Sequence, residues 1–210
     1  LGASNIINDK SAVTVAGGAT FDVNGQTEVV GSLAGSGTIA VGTGSLRTGN
    51  NDSNTTFSGV ISGTGTLIKA GGGTQTFSGP NTFSGMLYIF NATITYGAND
   101  VFADTMAIDI SVGGTLNLNG YSDTIGAISN TGAIKLGTGG VLSVNVASGS
   151  TTYNGGISEA GSLTKVGAGT LTLTGVSTYT GSTTVSEGTL ALTGSNRLAS
   201  TTALTVSSGA

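Results

Sequence analysis

The chain has 210 residues, 38 of them glycine, with one proline, no cysteine, no histidine and a net charge of −4. These values exclude disulfide frameworks, thiolate or imidazole catalysis, and the cationic footprint that nucleic acid or anionic lipid would require. Only 8% of residues are charged while 37% are apolar, so Ser, Thr and Asn must keep the surface wet around a core assembled from short apolar pieces.

In chain order, Leu1 to Asn5 has neither a basic segment nor a long apolar stretch. No signal peptide is read there, and the reading expects an excised piece of a longer chain. Short alternating segments follow: Val13-Thr14-Val15, Phe21-Asp22-Val23, Ile39-Ala40-Val41, Leu116-Asn117-Leu118, Ile134-Lys135-Leu136, Leu171-Thr172-Leu173, Leu190-Ala191-Leu192 and Leu204-Thr205-Val206. Alternation bounded by Gly, Asn or Ser predicts strands, and no segment sustains a helical period. No apolar run approaches the roughly 20 residues of a membrane-spanning helix.

The segments repeat. Phe57 onward aligns with Tyr153 onward without a gap at an offset of 96, sharing Gly59/Gly155, Gly65/Gly161, Gly71/Gly167, Gly73/Gly169, Gly79/Gly175 and Gly85/Gly181. Phe21 onward aligns with Leu116 onward at an offset of 95, and Asn5 onward resembles Asn196 onward. The chain is a little over two copies of one unit: 1–19 the end of one, 20–114 a second, 115–210 a third. Related pairs recur 18 or 19 residues apart (Phe21 to Ile39, Leu116 to Ile134, Leu171 to Leu190), which predicts five turns of about 19 residues per unit. Such a period with Gly-marked corners predicts an all-β parallel β-helix, one solenoid from 1 to 210, whose turns stack about 4.8 Å apart. Asn24-Gly25 and Asn119-Gly120 are read as corners of the coil and not as hairpin turns.

From Gly161 to Gly194, GSLTKVGAGTLTLTGVSTYTGSTTVSEGTLALTG resembles the autotransporter-associated β-strand repeat of passenger domains in type V secretion. The copy from Gly65 to Gly97 departs from that pattern after Ser84, where Met86, Leu87, Tyr88, Ile89 and Phe90 replace small polar residues. The resemblance implies a right-handed parallel β-helix outside the outer membrane: a structural, adhesive stalk or display module, secreted or on the bacterial surface. The alternative is a subunit of a self-assembling extracellular filament. Partners are expected to be other segments of the same chain, like subunits, or a host surface or matrix.

No enzyme, cofactor or metal site is predicted. A carbohydrate-active solenoid would need carboxylates converging on one face beside Arg or Lys, and the arginines, Arg47 and Arg197, stand in unmatched surroundings. Asp100, Asp104 and Asp109 form the densest acidic group and are read as caps of local backbone in preference to a calcium site. Lys69 and Lys165 share a repeat position; a solvating role at a strand end is expected, although alternation from Leu67 and Leu163 points both inward. Thr170, Thr172 and Thr174 are read as a solvated strand face. The expected interaction patch is Met86, Tyr88, Phe90 and Tyr96, in the segment richest in aromatics, with Leu87 and Ile89 on the opposite side from Tyr88 and Phe90.

Overall fold

The computed structural model describes residues 1–194, 197–199 and 202–210. Every regular element among them is a strand, each of two to five residues, and every strand pairing is parallel. Strands this short form because Thr, Val, Ile and Leu alternate between the two sides of the backbone and because β-branched side chains suit a pleated surface. They end where the chain turns through left-handed backbone, which Asn and Gly adopt at little cost. At the Asn24-Gly25 and Asn119-Gly120 corners φ is +54° and +70°, and +54° and +86°.

The coil has three faces. The chain passes Ala12–Val15, Thr20–Asp22 and Thr27–Val30 on the first, second and third, then returns to the first at Ser32–Gly35, in register with Ala12–Val15. The first face is an eight-stranded sheet; the third begins as a six-stranded sheet. Stacking gives about ten turns. Partners in adjacent turns lie from 18 residues apart, as Phe21 and Ile39, to 23 apart, as Ile134 and Ile157.

The sequence unit is therefore not five whole turns. Phe21, Ile39 and Ile61 stack on the second face, but their counterparts Leu116, Ile134 and Ile157 stack on the first. Glu28, Leu46 and Leu67 stack on the third face, and their counterparts Asp123, Leu142 and Leu163 on the second. A unit of 95 to 96 residues ends one face short of five turns, so each copy is rotated by one face about the coil axis. The expected five turns of about 19 residues fall one face short because corner lengths vary, and the variation sums to a missing face.

The core is the inside of the coil. Leu46, Leu67, Leu87, Ile108 and Ile128 line the third face, and Phe57, Phe77 and Tyr96 follow one another on the first, all buried. Phe102 seals this aromatic stack, edge-on to Phe77 at 5.6 Å and to Tyr96 at 5.5 Å between ring centres. Where the second face lacks a regular strand, Asn81 replaces it. Its Oδ1 accepts from Ile61 N at 2.8 Å and its Nδ2 donates to Val101 O at 2.9 Å, so one side chain bridges the turns above and below.

Shared glycines permit the stacking. A Cβ on Gly79 would lie 2.0 Å from Gly59 O, and one on Gly59 would lie 1.8 Å from Gly37 O.

Candidate functional site

On the third face the strands Ser45–Thr48, Thr66–Ala70, Met86–Phe90 and Ala107–Ile110 lie side by side. Alternation buries Leu46, Leu67, Leu87 and Ile108, so the residues after them point outward. Their registers place Val29, Arg47, Ile68, Tyr88, Asp109 and Ser129 in one straight row along the coil axis. Successive members are about 4.8 Å apart, the spacing of hydrogen-bonded strands. Tyr88 is 38% exposed and Phe90, two residues on, is 52% exposed. Met86 is half-buried on the other side of Tyr88, beside Thr66 and Ala107.

The second copy of the unit supplies an internal reference. The counterparts of Val29, Arg47, Ile68, Tyr88 and Asp109 are Thr124, Ser143, Thr164, Thr184 and Thr205, which form an equally straight row on the second face. An unbroken hydroxyl ladder in one copy is thus apolar, aromatic and charged in the other. The backbone accommodates either, so nothing in the solenoid fold requires the unusual row.

The charges at its ends are ordered differently. Asp109 Oδ2 accepts from Ser129 Oγ at 3.0 Å, and Oδ1 from Asn130 Nδ2 at 3.1 Å and Ser111 Oγ at 3.4 Å. These donors fix the carboxylate at the surface. Arg47 is exposed, and the ion pair found among the described residues joins Lys135 to Glu159 at 3.8 Å, away from this row.

Of the four residues expected in the patch, the structure brings Met86, Tyr88 and Phe90 together and removes Tyr96. Tyr96 is fully buried, because it shares parity with Ile94 on Thr93–Tyr96 while Thr93 and Thr95 point outward. Sequence reading missed Arg47, Ile68 and Asp109, which reach Tyr88 only through the register of separate turns.

A further expectation changes. Lys69 and Lys165 are buried, not solvating strand ends. Lys69 Nζ donates to Ala70 O at 2.9 Å, while Lys165 Nζ donates to Val166 O at 2.8 Å, Gly167 O at 2.6 Å and Glu187 O at 3.3 Å. Each ammonium caps carbonyls at a tight corner, and desolvation lowers its pKa, opposed by Asp52 for Lys69 and by Glu187 for Lys165. Two carboxylates are also buried, Glu28 and Asp123, which hold the same position in the two copies. Asp123 has a shifted titration. Its Oδ2 accepts from Phe102 N at 3.2 Å, while Oδ1 and the nearby Tyr96 hydroxyl are both buried without a hydrogen-bond partner. Burial, opposed by the nearby Tyr96 hydroxyl and by the hydrogen bond from Phe102 N, pushes Asp123 up to about 7, and burial with the nearby carboxylate pushes Tyr96 well above its ordinary value.

Asp100, Asp104 and Asp109 do not converge: among the described residues no three acidic side chains gather as metal ligands. Asp100 occupies a left-handed corner with φ +51°. Asp123 is sealed in the core, out of reach of a substrate.

The passenger-associated-transport-repeat family matches residues 67–94 and 163–192. These stretches hold the two buried lysines and, in the first, the Met86–Phe90 strand. The chain is similar to the adhesin BmaC autotransporter of Brucella suis biovar 1 (strain 1330), 37% identical over 143 residues, which cover 65% of this chain and 4% of the adhesin. No solved structure matches the chain. Repeats and relative together support an autotransporter passenger with passenger-associated repeats.

Proposed function

We propose that this chain, which carries two passenger-associated-transport repeats, is a β-helical passenger segment that acts outside the cell by adhesion and not by catalysis. The observation that carries the reading is the row from Val29 to Asp109, set against its hydroxyl counterpart from Thr124 to Thr205. A stalk needs only the hydroxyl ladder, which solvates a strand face. An exposed Tyr and Phe beside Ile and Arg keep apolar surface hydrated, a free-energy cost that is relieved only in contact with a partner. The adhesin relative supports the same reading. The solenoid supplies a rigid support for the row, since neighbouring turns pair through parallel ladders.

The test replaces the row with its own internal counterpart: Val29→Thr, Arg47→Ser, Ile68→Thr, Tyr88→Thr and Asp109→Thr. The fluorescently labelled chain and this variant are applied to host cells and to matrix-coated plates. The expected result is attachment of the parent chain and a loss of at least about tenfold in the variant, the size of one hot-spot residue. Equal attachment by both, or by neither, overturns the adhesive reading. Labelling of intact cells with antibody to this segment tests its surface position separately.

A further inference from the structure

We infer that the row on the third face is self-complementary and joins two copies of this chain in an antiparallel, two-fold pair. From one end to the other it reads cation, aliphatic, aromatic, anion: Arg47, Ile68, Tyr88, Asp109. Reversing it on a second copy sets Arg47 against the partner's Asp109 and Ile68 against the partner's Tyr88, then the same two contacts again in reverse. All four positions are matched by one operation. The Arg47 and Asp109 positions are three turns apart, about 14 Å at the spacing of parallel strands, so both ends engage together. A parallel arrangement would instead set Arg47 against Arg47 and Asp109 against Asp109.

The flanking residues obey the same symmetry. A two-fold axis parallel to the strands, midway between Thr66–Ala70 and Met86–Phe90, places Phe90 over the partner's Ala70 and Met86 over the partner's Thr66. Phe90, 52% exposed, is thereby laid against the partner's Thr66–Ala70 strand, and Met86, half-buried, against the same strand's other end. An isologous contact of this kind closes on itself and gives a dimer, not a fibre. The carboxylate is already fixed by Ser129, Asn130 and Ser111, which lowers the ordering cost of pairing it with Arg47.

This inference rests on reading the row as a contact surface; host attachment by a strictly monomeric chain would overturn the pairing and leave that reading standing. The experiment is sedimentation velocity over a concentration series on the whole chain and on two charge reversals, Arg47→Asp and Asp109→Arg. The expected result is a reversible dimer for the parent chain and at least about tenfold weaker self-association for each variant alone. An equimolar mixture of the two variants should recover the parent's association. One variant then presents a carboxylate at both ends of its row and the other a guanidinium at both ends, so every facing pair is again of opposite charge. A monomeric parent, association indifferent to both reversals, or a mixture no stronger than its components overturns the inference. Circular dichroism on both variants separates loss of association from loss of fold.

Discussion

The Tyr179 hydroxyl and the Thr183 hydroxyl are hydrogen-bonded to each other inside the coil, where both residues are fully buried. Their counterparts are Phe83 and Leu87, also buried. The two copies thus fill one core position by different chemistry, an apolar pair in one and a matched polar pair in the other. Tyr179→Phe leaves the Thr183 hydroxyl without this partner and should cost about 1 to 3 kcal/mol. Thr183→Leu strands the Tyr179 hydroxyl and should cost a similar amount. The double substitution restores the apolar pair and should lie within about 1 kcal/mol of the parent, a coupling that a double-mutant cycle in urea measures directly. Additive losses would mean that the hydroxyls do not act as a pair.

Asp123 makes stability depend on pH. Its carboxyl titrates near 7 in the fold against an ordinary 3.8, so between those values the folded chain holds a proton that the unfolded chain has released. Stability contributed by the neutral acid is fully present below 3.8, falls as pH rises through the window, and is lost above about 7. Asp123→Asn keeps a neutral amide beside Tyr96 at every pH. Urea unfolding from pH 4 to pH 8 should show the parent losing stability across the range and the variant holding nearly level. Equal slopes in both proteins would assign the pH dependence to other groups.

Strand positions and their inward parity were legible because alternation is local: Leu87 and Ile89 inside, Tyr88 and Phe90 outside, follows from the residues themselves. Tyr96 was misassigned when aromatic content was weighed above the parity it shares with Ile94. For Lys69 and Lys165, parity pointed inward and charge outward. Parity prevails because the side chain is long enough for its ammonium to reach the corner carbonyls of Ala70 or Val166. The row joining Arg47 to Tyr88 was not legible, since those residues are 41 apart and meet on alternate turns only through corner lengths that sequence leaves open. The same corner lengths hide the one-face rotation of each copy.

Glycines of the stacked corners should divide sharply by what lies above them. A Cβ on Gly79 meets Gly59 O at 2.0 Å, a backbone atom that cannot turn aside, whereas a Cβ on Gly72 meets nothing closer than 3.6 Å. Gly79→Ala should therefore force neighbouring turns apart and cost several kcal/mol, in the range of other severe packing and strain defects. Gly72→Ala should be neutral to slightly stabilising, because it restricts the unfolded chain. Thermal unfolding of the two variants decides the matter, and a tolerated Gly79→Ala would show that the turns can separate without loss.

The two buried lysines test how much a carbonyl cap offsets desolvation. Lys165 donates to three carbonyls and Lys69 to one, while both ammonium groups are disfavoured first by burial. Replacing each with Met keeps the length of the side chain and removes the charge. Lys69→Met gives up one hydrogen bond and its desolvation cost together, so it should be near neutral. Lys165→Met leaves three corner carbonyls without their donor and should destabilise by about 1 to 3 kcal/mol. In the parent the lowered lysine values mean that the unfolded chain binds protons more tightly, so stability should rise with pH through the window below 10.5. That rise should be smaller in either Met variant. Chemical denaturation at pH 8 and pH 10 measures both effects, and a Lys69→Met loss as large as that of Lys165→Met would show that the number of carbonyls does not set the value of the cap.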